Sequence, residues 1–134
     1  MIQVGAAPYP DSQAGYCGPV FTQPDDLAGG SIGDVLLAGW GFTATSVEYQ
    51  AVGFGSHHWL ATDARGARLF VTVDDMYAKL RTVSDTTDAV FVRLARAFSA
   101  ALSLRAEAGL EFVVAPVPAA DGQVLGRLQD RPGT

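Results

Sequence analysis

The stretch richest in chemistry is Gly53-Phe54-Gly55-Ser56-His57-His58, where two glycines, a hydroxyl and two imidazoles fall together. Without a Cβ, glycines let backbone N–H groups approach an anion closely. A glycine turn between two strands can therefore fold over the phosphates of a nucleotide. The same residues also suit an ordinary hairpin with a bulge, because a lone G-x-G pattern is a weak signal. His57 and His58 are possible metal ligands, but neighbouring side chains on a strand point to opposite faces and no third ligand accompanies them. Asp74-Asp75 has two readings as well, a metal pair or a solvated turn closing a strand. A second pattern, Gly39-Trp40-Gly41-Phe42-Thr43-Ala44, has the G-x-G-x-x-A spacing of a dinucleotide fingerprint. That chemistry needs a helix to start at the glycines, whereas Thr45, Val47 and Tyr49 alternate as a strand. The pattern is read as a helix stop. No serine elbow or Walker loop is present.

The first glycine loop sits inside a longer unit, Thr45 to Asp75. Before it, Val47, Tyr49 and Ala51 fall on one face of a strand and Glu48 and Gln50 on the other. After it, alternation puts Arg68, Phe70 and Thr72 on one face of a further strand and Leu69, Val71 and Val73 on the other. Ahead of this unit, Met1 to Phe21 is rich in Gly, Pro, Ala and Ser without a period and reads as a loose arm. Thr22-Gln23-Pro24-Asp25 suits a short helical start. Ile32, Val35, Leu36 and Trp40 recur at helical spacing, with a start at Ser31 or Asp34 and a stop at Gly39 and Gly41. Met76 to Val83 reads as a turn of helix or a loop. Asp85-Thr86-Thr87-Asp88 then opens a long helix from about Asp88 to Ala108, with Val90, Phe91, Leu94, Phe98, Ala101 and Leu102 as its apolar stripe. Phe112 to Pro118 and Gln123 to Leu128 read as two more strands around an Asp121-Gly122 turn.

Composition limits the function. At 134 residues, with 49% hydrophobic and 17% charged residues, the chain suits one folded domain. A net charge of -5 argues against nucleic acid as a partner, because a phosphate-tracking surface needs clustered Lys and Arg. Lys79 is the only lysine. Cys17 is alone, so neither an internal disulfide nor a cysteine metal cluster is expected. No signal peptide and no apolar run of about 20 residues appears, and a cytoplasmic location without membrane contact is expected.

From Phe21 to Leu128 the order of elements resembles the N-terminal lobe of the protein-kinase-like phosphotransferases, most of all the aminoglycoside and spectinomycin phosphotransferases. Val52-Gly53-Phe54-Gly55-Ser56-His57-His58 looks like the loop over the phosphates, and Leu69-Phe70-Val71-Thr72-Val73-Asp74-Asp75 like the third strand. Asp88 to Ala108 is similar to the lobe's helix and Leu110 to Pro116 to its fourth strand, with Asp121-Gly122 turning into the fifth. The resemblance implies an α+β fold, a mainly antiparallel five-stranded sheet packed on one long helix, preceded by a short helical lead-in. It implies an arm over 1–21, a kinase-like N-lobe over 22–128 and a tail over 129–134. It places Val52 and Leu60 against adenine, Gly53, Gly55, Ser56 and His57 near the phosphates, and Phe70 and Thr72 on the nucleotide side of the third strand.

Two departures accompany the resemblance. Thr72 stands where the family's phosphate-anchoring lysine would align, with Arg68 and Lys79 as possible substitutes, and the helix carries only Asp88 and Glu107 as acids. His57 and His58 both precede the long helix, so no catalytic loop built on a histidine follows it. The resemblance therefore implies the nucleotide-binding lobe, as a fragment, of an ATP-dependent phosphotransferase for antibiotics or other small molecules, inactive by itself. ATP with magnesium is the implied cofactor in a full-length relative. The expected partner is the missing C-terminal lobe, or a second copy meeting it through the exposed cleft. The other reading is a non-catalytic interaction module derived from such a lobe.

Overall fold

The computed structural model describes residues 2–6, 22–24, 27–53 and 55–128. It is an α+β chain in which a four-stranded antiparallel sheet carries the loop, one helix covers a face of the sheet, and a long helix packs beside it. The elements run β1 (Ile2–Ala6), α1 (Gly29–Trp40), β2 (Ala44–Gln50), β3 (His57–Asp63), β4 (Arg68–Val73), a 3-10 turn (Tyr77–Lys79) and α2 (Thr87–Ala106). The strands lie in the order β1-β4-β3-β2.

Register assigns the faces. Trp59 pairs with Val71 and with Tyr49, Ala61 with Leu69 and Val47, and Val4 with Val71. One face of the sheet thus presents Ile2, Val4, Trp59, Ala61, Val71 and Val73, which form the core with Ile32 and Leu36 of α1. Burying these branched and aromatic side chains drives the association of sheet and helix. Trp59 is fully buried and meets Tyr49 edge-on at 5.3 Å between ring centroids, and its indole N–H has no acceptor among the described residues. Such an orphan costs about 1–3 kcal/mol, a load the aromatic packing has to offset.

Helix α1 ends as its glycines foretell: Gly41 adopts φ 63°, and its N–H and that of Phe42 return to the carbonyls of Leu37 and Leu36. It starts at Gly29, ahead of Ser31 and Asp34, and without a side-chain cap. A Cβ at Gly29 would stand 3.0 Å from the Val47 carbonyl oxygen, so the first turn can lie this close to β2 only with glycine there. The expected helical start at Thr22 is absent. Residues 22–24 and 27–28 are irregular, with a Leu27 N–H bond to the Pro24 carbonyl, and Asp25 lies outside the described residues.

The long helix forms over the expected span. Thr86 accepts the Ala89 N–H at 3.1 Å as N-cap, and Arg93 grips Asp85 through two hydrogen bonds of 3.0 and 2.7 Å just before the first turn. That grip, above all the side-chain hydrogen bonding, holds the Asp85 carboxyl well below the usual carboxylate range. The stripe Phe91, Leu94, Ala95, Phe98 and Leu102 packs on Val124, Leu125 and Met76. The element that covers the sheet is therefore α1, and the expectation of a sheet packed on the long helix is corrected.

Two further expectations change at the ends of the chain. Residues Ile2–Ala6 are an edge strand with Ile2 and Val4 fully buried, where a loose arm over Met1 to Phe21 was expected; residues 7–21 lie outside the described set. The first element is consequently a strand and not a helical lead-in. Phe112 to Pro118 and Gln123 to Leu128 are not strands, so the sheet has four strands and not five among the described residues. Pro116 and Pro118 remove N–H donors that a ladder needs. What remains is a row of single contacts along the outer edge of β1: Val117 N–H to the Val4 carbonyl at 2.7 Å, and Ile2 paired with Gly126 through two bonds of 2.9 Å. The Asp121-Gly122 turn does form, with Gly122 at φ 84° and Ala119 N–H bonded to the Gln123 carbonyl.

The placement of β1 has a direct consequence. Ile2→Ala should lower the unfolding free energy by about 2–5 kcal/mol, as for other buried large-to-small changes, whereas Val114→Ala, at a site 89% exposed, should stay within about 0.5 kcal/mol of wild type. Urea denaturation of the two variants checks this. Equal stabilities would mean that the first residues do not belong to the sheet.

Candidate functional site

The second face of the sheet has no helix of the core cluster on it. By register it carries Glu48 and Gln50 of β2, His58, Leu60 and Thr62 of β3, and Arg68, Phe70 and Thr72 of β4. These side chains are exposed or half-buried, in contrast with the closed opposite face. At one end of this open face, residues 51–56 join β2 to β3, with Gly53 at φ 86° and Gly55 at φ 70°. Both glycines occupy the left-handed region, which other residues enter at a cost of roughly 1–2 kcal/mol.

The hairpin brings together most of the residues singled out from the sequence. Leu60, Phe70 and Thr72 share the open face, with Leu60 directly opposite Phe70 and His58 opposite Thr72. His58 lies under the loop: a Cβ on Gly53 would meet its Nε2 at 2.7 Å, so only glycine permits this approach. Its ring stacks on Phe70 at 5.1 Å between centroids, and its Nδ1 lies 3.1 Å from the Thr72 hydroxyl. Burial pushes the His58 pKa down; Asp74 opposes that shift and His57 adds to it. The imidazole therefore favours its neutral form, as a hydrogen-bonding partner and not a fixed cation.

His57 goes the other way. It sits on the core face, where its Nδ1 lies 3.0 Å from the Tyr49 hydroxyl and its ring tilts against Trp59. The Tyr49 hydroxyl also donates to the Thr22 carbonyl at 3.3 Å, so with both bonds formed the His57 Nδ1–H donates to the tyrosine oxygen. Burial raises the Tyr49 pKa, which keeps that hydroxyl protonated. The placement of His57 beside the phosphate loop is thus corrected: its side chain braces the core, and His58 holds the place under the loop. The signal was present in the sequence, since Leu60 shares its face with His58 and not with His57. Val52, half-exposed, enters the loop through a tight turn closed by its N–H and the Gln50 carbonyl. Phe54 lies outside the described residues.

Below the loop, at the end of β4, is a feature that sequence reasoning left as a turn. Asp74 is only 6% exposed. Its Oδ1 accepts the Ser56 hydroxyl at 2.5 Å and lies 2.9 Å from Lys79 Nζ. Asp75 instead accepts the Tyr77 N–H at 2.8 Å, two residues on, where the chain enters the 3-10 turn. The two aspartates therefore do separate work, and among the described residues no three His, Cys, Asp or Glu side chains converge as a metal site requires. A shallow groove between α1 and β2, lined by Gly33, Asp34, Leu37, Thr43 and Val47, lies toward the start of β2, away from the loop. No helix of the structure is long and apolar enough to cross a membrane. Compared with known protein families, curated proteins and solved structures, the chain matches none of them.

The state of His58 predicts a pH dependence. Its folded pKa lies below the unfolded value of about 6.5, so the unfolded chain binds more protons between the two. The stability from neutral His58 is full above the unfolded value and lost as pH falls through the folded one. His58→Gln, which cannot ionise, should flatten the stability profile on this acid side; denaturant midpoints between pH 5 and 8 measure it. A slope unchanged by the substitution would remove His58 as its source.

Proposed function

We propose that this chain is the nucleotide-binding lobe of an ATP-dependent small-molecule phosphotransferase of the aminoglycoside type, unable to transfer phosphate by itself. One observation carries the reading: a hairpin turn with two left-handed glycines stands at the end of an open sheet face on which the polar pair His58 and Thr72 lies next to the turn, followed by the apolar pair Leu60 and Phe70 and then by Thr62 and Arg68. Leu60 and Phe70 offer flat apolar surface for a base, and Thr72 and His58 offer hydrogen-bonding groups next to the glycines. Backbone N–H groups of a glycine turn suit a polyphosphate, whose oxygens are strong acceptors. Val52, Gly53, Gly55, Ser56, Leu60, Phe70 and Thr72 make up this half-site, with His58 in place of His57.

Catalysis needs groups this half-site does not offer. Phosphoryl transfer requires a base or orienting acid for the acceptor and metal-holding acids opposite the γ-phosphate. The chain's two histidines are both in the hairpin, and Asp74 is engaged with Ser56 and Lys79. A second lobe would bring the acceptor site, and magnesium would travel with the ATP. An interaction module that kept the sheet and lost nucleotide chemistry is the competing reading; Thr72, in the place of a lysine, favours it.

Calorimetric titration with Mg-ATP separates the two. The nucleotide lobe should bind with measurable heat, and Gly55→Val should weaken binding, because the space beside Gly55 is open and the substitution acts through the backbone at φ 70° alone. Absence of binding at about millimolar ATP, where the free energy is near -4 kcal/mol, would favour the interaction module.

A further inference from the structure

We propose that Lys79 is the phosphate-facing cation of this half-site, delivered from the turn after β4 and positioned by the buried Asp74. The proposal rests on the nucleotide reading above and assigns the site a charge that the loop end of β4 does not carry.

The need is chemical. A polyphosphate brings several negative charges, and Thr72 can offer one hydroxyl but no counter-charge. Arg68, on the same face as Thr72, stands at the far end of the strand: it pairs with Thr62, whereas the loop end pairs His57 with Val73. The four-residue separation from Thr72 corresponds to about 13 Å of strand. Arg93 is committed to Asp85, Arg127 to Asp88, and Arg105 to the carbonyls of Glu111 and Val113.

Lys79 is placed differently. Asp75 accepts the Tyr77 N–H, Lys79 N–H bonds the Met76 carbonyl at 3.2 Å, and the chain doubles back so that the ammonium reaches Asp74 at the end of β4. There it shares a single oxygen, Asp74 Oδ1, with the hydroxyl of Ser56 in the glycine loop. One carboxylate atom thus joins the loop to the cation. Lys79 remains 33% exposed while Asp74 is 6% exposed, so of the pair the lysine is the one more accessible from solvent. An ammonium has three rotatable donors, and a contact with one oxygen leaves it able to bridge to a second acceptor. The buried aspartate holds the charge at the loop before any ligand arrives, which lowers the ordering cost of binding. The ligand class follows: a group bearing a polyphosphate tail, distinguished from the bare nucleoside by this charge.

The test compares Mg-ATP and adenosine by calorimetry on the full chain, for wild type, Lys79→Met and Lys79→Arg. Lys79→Met should weaken Mg-ATP about tenfold or more, the loss expected for one charge-assisted hydrogen bond, and leave adenosine unchanged. Lys79→Arg should retain most of the ATP affinity. Because Lys79→Met leaves a buried carboxylate without its cation, the substitution is repeated in an Asp74→Asn background, with circular dichroism confirming the fold; a loss again selective for ATP, but smaller because the lysine is no longer positioned, is expected there. Equal ATP affinity in wild type and Lys79→Met overturns the assignment while the nucleotide reading stands. Equal loss for ATP and adenosine assigns Lys79 a structural role and also overturns it. A wild-type chain that binds neither ligand overturns both.

Discussion

The buried carboxylate of Asp74 is the constraint on which the loop end of this structure depends. An ionised carboxylate at 6% exposure is costly unless its oxygens are paired. The pairing here comes from two segments far apart in sequence, Ser56 in the glycine loop and Lys79 in the turn after β4. Satisfying one buried charge therefore fixes where the loop begins β3, where the chain goes on leaving β4, and where its only lysine stands. The short 3-10 turn Tyr77–Lys79, whose first N–H is accepted by Asp75, ends at the lysine that pairs with Asp74.

The second constraint is the inequality of the two sheet faces. Trp59, Val71, Val73, Ile2 and Val4 are sealed by α1 together with Leu27, Phe42, Val117 and Leu128, and that closed face supplies the cohesion of the domain. Relieved of that task, the other face can keep Leu60, Phe70, Thr72 and His58 partly open to solvent. Where the faces meet at the loop, the two histidines divide: His57 is held by Tyr49 on the closed side and His58 by Thr72 and Phe70 on the open side. A Cβ at position 53 would displace the imidazole beneath it and the backbone there is left-handed, so glycine suits both the loop and the sheet it covers.

Much of this was legible because it follows from local pattern. The alternation around the loop set the faces of β2 and β4, Gly41 announced the end of α1, and the Thr86 cap and apolar stripe announced α2. What escaped depends on contacts distant in sequence. Ile2–Ala6 is five residues with Gly5 inside, set in a stretch rich in Gly and Pro; it is a strand because β4 offers an open edge and its Ile and Val side chains complete the core. Phe112 to Pro118 has the β-branched composition of a strand, but the edge it would occupy is held by β1 and its prolines cannot donate. Asp74 gave no local sign of burial, since its partners lie 18 residues before it and in the following turn. The face of His57 was open to derivation, because alternation from Leu60 backward assigns it.

The central claim is that the glycine turn and the open face act together as a nucleotide half-site. Two-dimensional amide NMR of the labelled chain during titration with Mg-ATP tests it most directly, because each face reports separately. Progressive shifts are expected at Gly53, Gly55, Ser56, His58, Leu60, Phe70 and Thr72, with Val4, Ile32 and Leu36 of the closed core unmoved. Shifts confined to α1 and the start of β2, or none at saturating nucleotide, would contradict it.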